Sequence, residues 1–195
     1  MEKSAEKQDM KSRIVSAAWE LFHDKGYNHT TVDDIIALSG TSKGSFYYYF
    51  NTKDELLNTL SEVLDGFYEE LESRMNPEMN SFVKLIFLNA EIHAMMEERI
   101  SIDILASLYS TQLVTEVSSH LLDQNRRYYQ LISRIIEEGQ QRGQISTDKP
   151  VREIAKYYAL CERALVSDWC LSKGSYSLGK YSKEYMPIMM EHFKA

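Results

Sequence analysis

Two kinds of side chain in this 195-residue sequence could do chemistry, and they differ in whether their partners are present. A Glu three residues before a His is the unit of helical di-iron sites, which use two such pairs and two further carboxylates. That spacing occurs once, as Glu20 and His23, while His29, His93, His120 and His192 have no Glu at that distance. There is no GxGxxG run, Walker phosphate loop or CxxC pair. The expectation is a protein without catalytic residues, metal or cofactor. The second kind is recognition chemistry. Thr31 and Thr52 stand where helices should start, and the free amides and dipole of a helix N-terminus favour a phosphate oxygen. Lys53 adds a charge beside Thr52, and Lys43 and Ser45 lie between the two threonines with reach to a base edge.

Overall charge argues against a polybasic nucleic-acid binder: Lys and Arg total 22 and Asp and Glu 29, a formal net charge of −7. Residues 1–57 hold seven basic and nine acidic side chains, so neither half of the chain is basic. Within Ile35 to Lys53, however, Lys43 and Lys53 are the only formal charges. An anion meets no carboxylate along that stretch, where most of the candidate contacts lie. The N-terminus has no apolar core of the kind a signal peptide needs, and no later run reaches the roughly 18 apolar residues of a membrane span. A soluble, cytoplasmic protein is expected. Cys161 and Cys170 fall in one helical pattern; nine residues at a 1.5 Å rise separate them by about 13 Å, too far for a disulfide, and free thiols fit a reducing compartment.

The elements that must position these residues read as helices throughout. Eight Gly and three Pro are too few for a sheet protein with many tight turns. Met10, Ile14, Ala17, Ala18, Leu21 and Phe22 follow helical spacing up to a stop at Gly26, giving a first helix over about 10–25. Thr31 with Asp34 forms a short capping box for a second helix that ends at Ser39 and Gly40. Ser42 caps a third, running to about Phe50, and Thr52 with Glu55 opens a fourth that should continue to Asn76 and Pro77. Longer amphipathic patterns follow. Phe82 to Met96, with Asn89 in the stripe, mark one; Ile102 to Tyr109 mark a shorter one; Leu113 to Ser119 is ambiguous. Leu121 to Ile136 reads as one long helix, Val151 to Trp169 as another after Asp148 and Pro150, and the tail to Phe193 as a last one that Pro187 must start or kink.

Two short helices joined by a turn at Gly40, behind a longer one, form the helix-turn-helix layout that reads the major groove. At about 100° per residue, Phe46 and Phe50 share the core face of the third helix, while Gly44 and Tyr48 point the opposite way. Tyr47 flanks the core, and Tyr48 is left facing outward.

The run TTVDDIIALSGTSKGSFYYYFNTKDELL, Thr30 to Leu57, resembles the DNA-binding signature of the TetR family of bacterial transcriptional regulators. Thr31, Asp34, Ile35, Gly40, Ser42, Gly44, Phe46, Tyr47, Phe50, Lys53 and Leu56 fall at that family's spacing, and the likeness covers residues 10 to about 60. It departs at Thr41, where an aliphatic residue is common, and at Asn51, where a basic one is frequent. The resemblance implies contacts to double-stranded operator DNA from Thr31, Ser42, Lys43, Gly44, Ser45, Tyr48, Tyr49 and Lys53. It also implies an all-α homodimer: a three-helix DNA-binding domain over 1–55 and a helical effector-binding and dimerisation domain over 56–195. The function it implies is a repressor released from its operator by a small molecule. A transcriptional activator, or a helical binding or enzymatic protein using its N-terminal helices for protein contacts, is the alternative.

In the second domain, Met75, Met79, Met95, Met96, Met189 and Met190 with several aromatic residues supply adaptable apolar walls. His93, Met96, Tyr109, Tyr158, Cys161 and Trp169 are the candidate effector contacts. Leu121, Tyr128, Leu131, Ile132, Ile135 and Ile136 exceed one apolar stripe, so a dimer through helices at about 120–142 and 149–172 is expected to hide the surplus. Gly66, mid-helix in the fourth helix, costs about 1 kcal/mol relative to Ala; close packing, a flexing point or an incidental surface position are the alternatives.

Overall fold

The computed structural model describes residues 2–114 and 120–195, so part of the ambiguous 113–119 segment lies outside the described residues. Ten α-helices follow one another among the described residues: α1 (Glu2–Lys25), α2 (Val32–Ser39), α3 (Lys43–Tyr49), α4 (Asp54–Leu57), α5 (Leu60–Arg74), α6 (Ser81–Arg99), α7 (Ile102–Val114), α8 (Arg127–Gln141), α9 (Val151–Leu171) and α10 (Leu178–Met190). The only extended pairing described is an isolated bridge between Ile145 and Lys194.

Local chemistry explains most boundaries. Gly26 at φ 82 ends α1, and Gly40 at φ 62 ends α2, both in the left-handed region that a side chain would strain. Asn80 caps α6 by accepting from the amides of Phe82 and Val83, and Ser177 caps α10. α10 passes through Pro187 and continues for three more residues.

Two expected helices are broken instead. The fourth divides into α4 and α5 because side-chain hydroxyls compete for its backbone. Thr59 donates to the Leu56 carbonyl at 2.6 Å and Ser61 to that of Asn58 at 2.5 Å, while the Trp19 indole N–H donates to the Thr59 hydroxyl at 2.9 Å and ties the break to α1. The stretch read as one helix from Leu121 has a single 3-10 turn at His120–Leu122 before α8. There the Asp123 carboxylate accepts from the Asn125 amide at 2.9 Å, an Asx turn that interrupts the helix.

The chain divides into two compact units, Met1–Glu62 with Asp103–Ser118, and Val63–Ile102 with Ser119–Ala195. In the first, α1, α2 and α3 pack on one another around Ile14, Ala18, Phe22, Ile35, Phe46 and Leu56. α7 belongs to this unit, where Gln112 donates to the Asn58 side chain at 3.1 Å.

In the second unit α6 packs on α8 and α10, and α9 packs on the same two helices. α6 and α10 meet closely at Gly179, where a Cβ would come within 2.8 Å of the Ala94 Cβ. The surplus apolar face expected on α8 is consumed here: Tyr128, Leu131, Ile132, Ile135 and Ile136 are all buried within a single chain. That corrects the basis of the expected dimer. The apolar residues left exposed in this unit include Leu160 (55 %), Leu171 (83 %) and Tyr157 on α9 and Ile188 (66 %) and Tyr185 on α10, with Val63 on α5, Val83 on α6 and Leu122 in the turn before α8.

Candidate functional site

Side-chain hydrogen bonds close both ends of α2 and the start of α3. Thr31 and Asp34 complete a reciprocal capping box: the Asp34 amide donates to Thr31 Oγ1 at 3.2 Å and the Thr31 amide donates to the Asp34 carboxylate at 2.8 Å. Lys25 pairs with the same carboxylate at 2.7 Å, and with Thr31 holds it well below the usual carboxylate range. At the other end, Arg13 of α1 donates to the carbonyls of Ser39 at 2.6 Å and Gly40 at 3.3 Å, closing α2 with a cation at its negative pole. Ser42 then caps α3, accepting from the Ser45 amide at 3.0 Å.

Gly40 to Gly44 also has the GxSxG spacing of a hydrolase nucleophile elbow. That elbow needs a strand before the serine and a histidine beside it. Ser42 follows a helix, and its hydroxyl shares a hydrogen bond with that of Ser45 at 2.9 Å. The geometry is a cap.

Phe46 on α3 and Phe50 at its C-cap are buried, and Lys43, Gly44, Tyr47 and Tyr48 are exposed. A Cβ on Gly44 would meet only Ser42 Oγ, at 3.8 Å, so the backbone at Gly44 lies open. Tyr48 is 66 % exposed and its ring meets that of Tyr49 edge-on at 4.8 Å, which leaves Tyr49 half-buried. Tyr47, placed beside the core from its spacing, is 47 % exposed and belongs to the outer face.

The two lysines of the acid-free stretch are less open than their sequence context implies. Lys43 reaches back to Asp33 at 3.4 Å across an exposed pair. Lys53 donates to the carbonyls of Tyr27 at 2.8 Å and Thr30 at 3.0 Å and lies over the Tyr27 ring. Burial pulls its pKa down, partly countered by Asp54. Asp54 in turn accepts from the Tyr27 hydroxyl. The Thr52 hydroxyl accepts from the Glu55 amide at 3.4 Å, but the Glu55 carboxylate turns to the Asn51 amide at 2.9 Å, leaving the expected capping box half-formed.

Of the candidate effector contacts, Tyr109 lies half-buried on α7 in the first unit, and the others are in the second. Met96 and Cys161 are buried, with burial pushing the Cys161 thiol up. Trp169 donates to the Tyr176 carbonyl at 2.8 Å and so anchors the loop after α9. Tyr158 is fully buried and donates to the Leu85 carbonyl at 3.0 Å. His93 is fully buried, with Nδ1 2.5 Å from Ser182 Oγ and Nε2 3.7 Å from the Glu162 carboxylate.

Glu162 was not legible as a site residue, yet the polar core gathers on it. Tyr68 donates to one carboxylate oxygen at 2.7 Å and Tyr128 to the other. Burial pushes the Glu162 pKa up, while these hydroxyls and two arginines hold it down; burial pulls that of His93 down to about 3. Asn89, one turn before His93 on α6, is also fully buried. Its place on an apolar stripe is the sequence signal from which it could have been found.

Two acids near helix ends, Glu97 on α6 and Glu138 on α8, are engaged. Glu138 pairs with the buried Lys84 at 3.1 Å, and Glu97 accepts from the Ser177 hydroxyl at 3.0 Å and the Gly179 amide at 3.3 Å, filling the start of α10. Among the described residues no group of three metal-binding side chains occurs, and no helix is long and apolar enough to cross a membrane.

Residues 14–60 match the family model described as bacterial regulatory proteins, tetR family, and residues 60–192 match that of the YsiA-like protein, C-terminal region. The HTH-type transcriptional regulator QacR of Staphylococcus aureus is 28 % identical over 142 residues, 70 % of this chain and 73 % of that protein. The fatty acid metabolism regulator protein of Bacillus subtilis is 22 % identical over 179 residues, 91 % and 92 % of the two chains. Among solved structures, Thermus thermophilus FadR in complex with lauroyl-CoA aligns with a TM-score of 0.74 at 21 % identity, covering 92 % of this chain and 93 % of that one. Bacillus subtilis FadR in complex with stearoyl-CoA aligns at 0.70 and 22 %, covering 92 % and 97 %. These structural likenesses establish the fold.

Proposed function

The chain belongs to the TetR family of bacterial regulatory proteins and is a DNA-binding transcriptional regulator, and from that premise we propose that it is a homodimeric repressor released from its operator by a small molecule bound in the second unit. The observation that carries the DNA-reading half is α3: a short helix capped by Ser42, anchored by Phe46 and Phe50, and presenting Lys43, Gly44, Tyr47 and Tyr48 outward. Such a face suits a major groove, with Thr31, Ser42, Ser45, Tyr49 and Lys53 flanking it toward phosphate and sugar. The protein works by binding rather than catalysis, in the cytoplasm where its operator lies.

The dimer forms through the exposed faces of α9 and α10. Leu160 and Leu171 on α9 and Ile188 on α10 are apolar side chains that a lone chain leaves in water, and a second copy buries them symmetrically. The complexes of FadR with lauroyl-CoA and stearoyl-CoA make acyl thioesters the first effector class to test. The test is a mobility shift with the DNA flanking the protein's own gene, with and without lauroyl-CoA. Sequence-specific retention that the thioester abolishes supports the reading; no retention at low salt overturns it.

A further inference from the structure

α6 and α9 each pack on α8 and α10 and so face one another across the middle of the second unit. Two layers of side chains bridge them. In one, Tyr158 of α9 donates to the Leu85 carbonyl of α6. In the other, His93 of α6 stands 3.7 Å from Glu162 of α9. Residues 85, 89 and 93 are one helical turn apart, as are 158 and 162, so Asn89 lies on the bridging face between the two layers. Asn89 is fully buried, and neither its amide nitrogen nor its carbonyl oxygen meets a protein partner. His93 Nε2, one turn away, is also buried without a hydrogen-bond partner.

Buried polar groups in a folded protein are paired almost without exception, and a carboxamide held unpaired in a core calls for a partner from outside the chain. We infer that the core beside Asn89, between α6 and α9, is a ligand station that takes an uncharged group with both a donor and an acceptor, a hydroxyl or a carboxamide, carried on an otherwise apolar effector. The open atoms dictate that chemistry. The Asn89 N–H needs an acceptor and its carbonyl needs a donor, which one hydroxyl or carboxamide supplies together. An anion would face the Glu162 carboxylate. A cation would have to take Glu162 from Tyr68 and Tyr128, whose hydroxyls already hold both its oxygens. The apolar body has Met95, Met96, Met186 and Met190 in the same unit to settle against.

This inference rests on the effector-binding reading of the second unit, and its test separates the two. The full-length protein is titrated by calorimetry with five eight-carbon probes: 1-octanol, octanamide, 1-chlorooctane, octylamine and octanoate. Octanol and octanamide bind at least tenfold tighter than chlorooctane, octylamine and octanoate. In Asn89→Leu, close to isosteric, that preference vanishes while chlorooctane binding persists. In the unaltered protein the Asn89 side-chain NH2 resonances shift on adding octanol, a readout independent of how the variant folds. Equal affinity for all five probes, a preference for octylamine, a preference that survives Asn89→Leu, or Asn89 resonances that stay still would each overturn the inference. Operator binding without probe is scored in parallel: its failure in the unaltered protein removes the regulator reading, and a lost probe preference with operator binding intact removes only the station.

Discussion

Lys53 holds its ammonium 4.1 Å over the ring of Tyr27 and donates to the Tyr27 carbonyl oxygen at 2.8 Å. The side chain that most resembles a phosphate contact thus also fastens the loop after α1 to the start of α4. Lys53→Ala is expected to lower the melting temperature and, if the charge still reaches a phosphate, to flatten the dependence of log K on log salt by about 1.8 for a dimer. Anisotropy titrations across a salt series separate the roles: a lower melting temperature with an unchanged slope means that Lys53 is a brace and nothing more.

Tyr48 carries no charge and stands on the outer face of α3, so Tyr48→Ala leaves the salt slope alone. Its cost falls on operator over random DNA, by about 1 to 3 kcal/mol if the ring or hydroxyl meets base edges. Equal loss on both DNAs would make it a backbone contact and would turn the helix in the groove.

The double substitution Leu160→Arg with Leu171→Arg is expected to yield a folded monomer, because both positions are exposed in a single chain and neither supports its core. Light scattering at micromolar concentration reads the mass, and circular dichroism checks the fold. A persisting dimer would move the interface off α9.

His93 gives the second unit an acid sensitivity of predictable sign. Its pKa is pulled down to about 3 in the folded chain, from an ordinary value of 6.5, by burial. Below 6.5 the unfolded chain takes a proton that the folded one refuses, so stability falls as pH drops from 6.5 toward 3. Between pH 7.5 and 5.5 the unaltered protein should lose about 1.4 kcal/mol more than His93→Gln, measured by urea unfolding. Both proteins keep Glu162, so the difference belongs to His93.

Gly66 sits exposed on α5, and a Cβ there would meet nothing within 4 Å. Close packing is therefore no reason for it, which leaves a flexing point or an incidental surface glycine. Gly66→Ala is expected to raise stability by up to about 1 kcal/mol and to shift effector sensitivity more than operator affinity. Superimposable induction curves would remove the flexing role.

What could be read from the residues alone was local. Caps at Thr31 and Ser42, the stop at Gly40 and the outward aim of Tyr48 depend on neighbours within four residues and on the helical period, and the structure has each of them. The break between α4 and α5 was beyond that reach. It depends on hydroxyl bonds at Thr59 and Ser61 and on Trp19, forty residues before Thr59. The same holds for Lys53, whose acceptors lie on the α1–α2 loop, and for α8, whose apolar excess is indistinguishable from a dimer face until its neighbours are placed. Glu162 is the clearest case. In sequence it is one acid on an amphipathic helix; the carboxylate becomes the centre of a polar core only when Tyr68, Tyr128 and His93, up to 94 residues away, close around it. Period and capping act through a few bonds of one segment and are written in order along the chain. Which segments meet is decided by the packing of all of them at once.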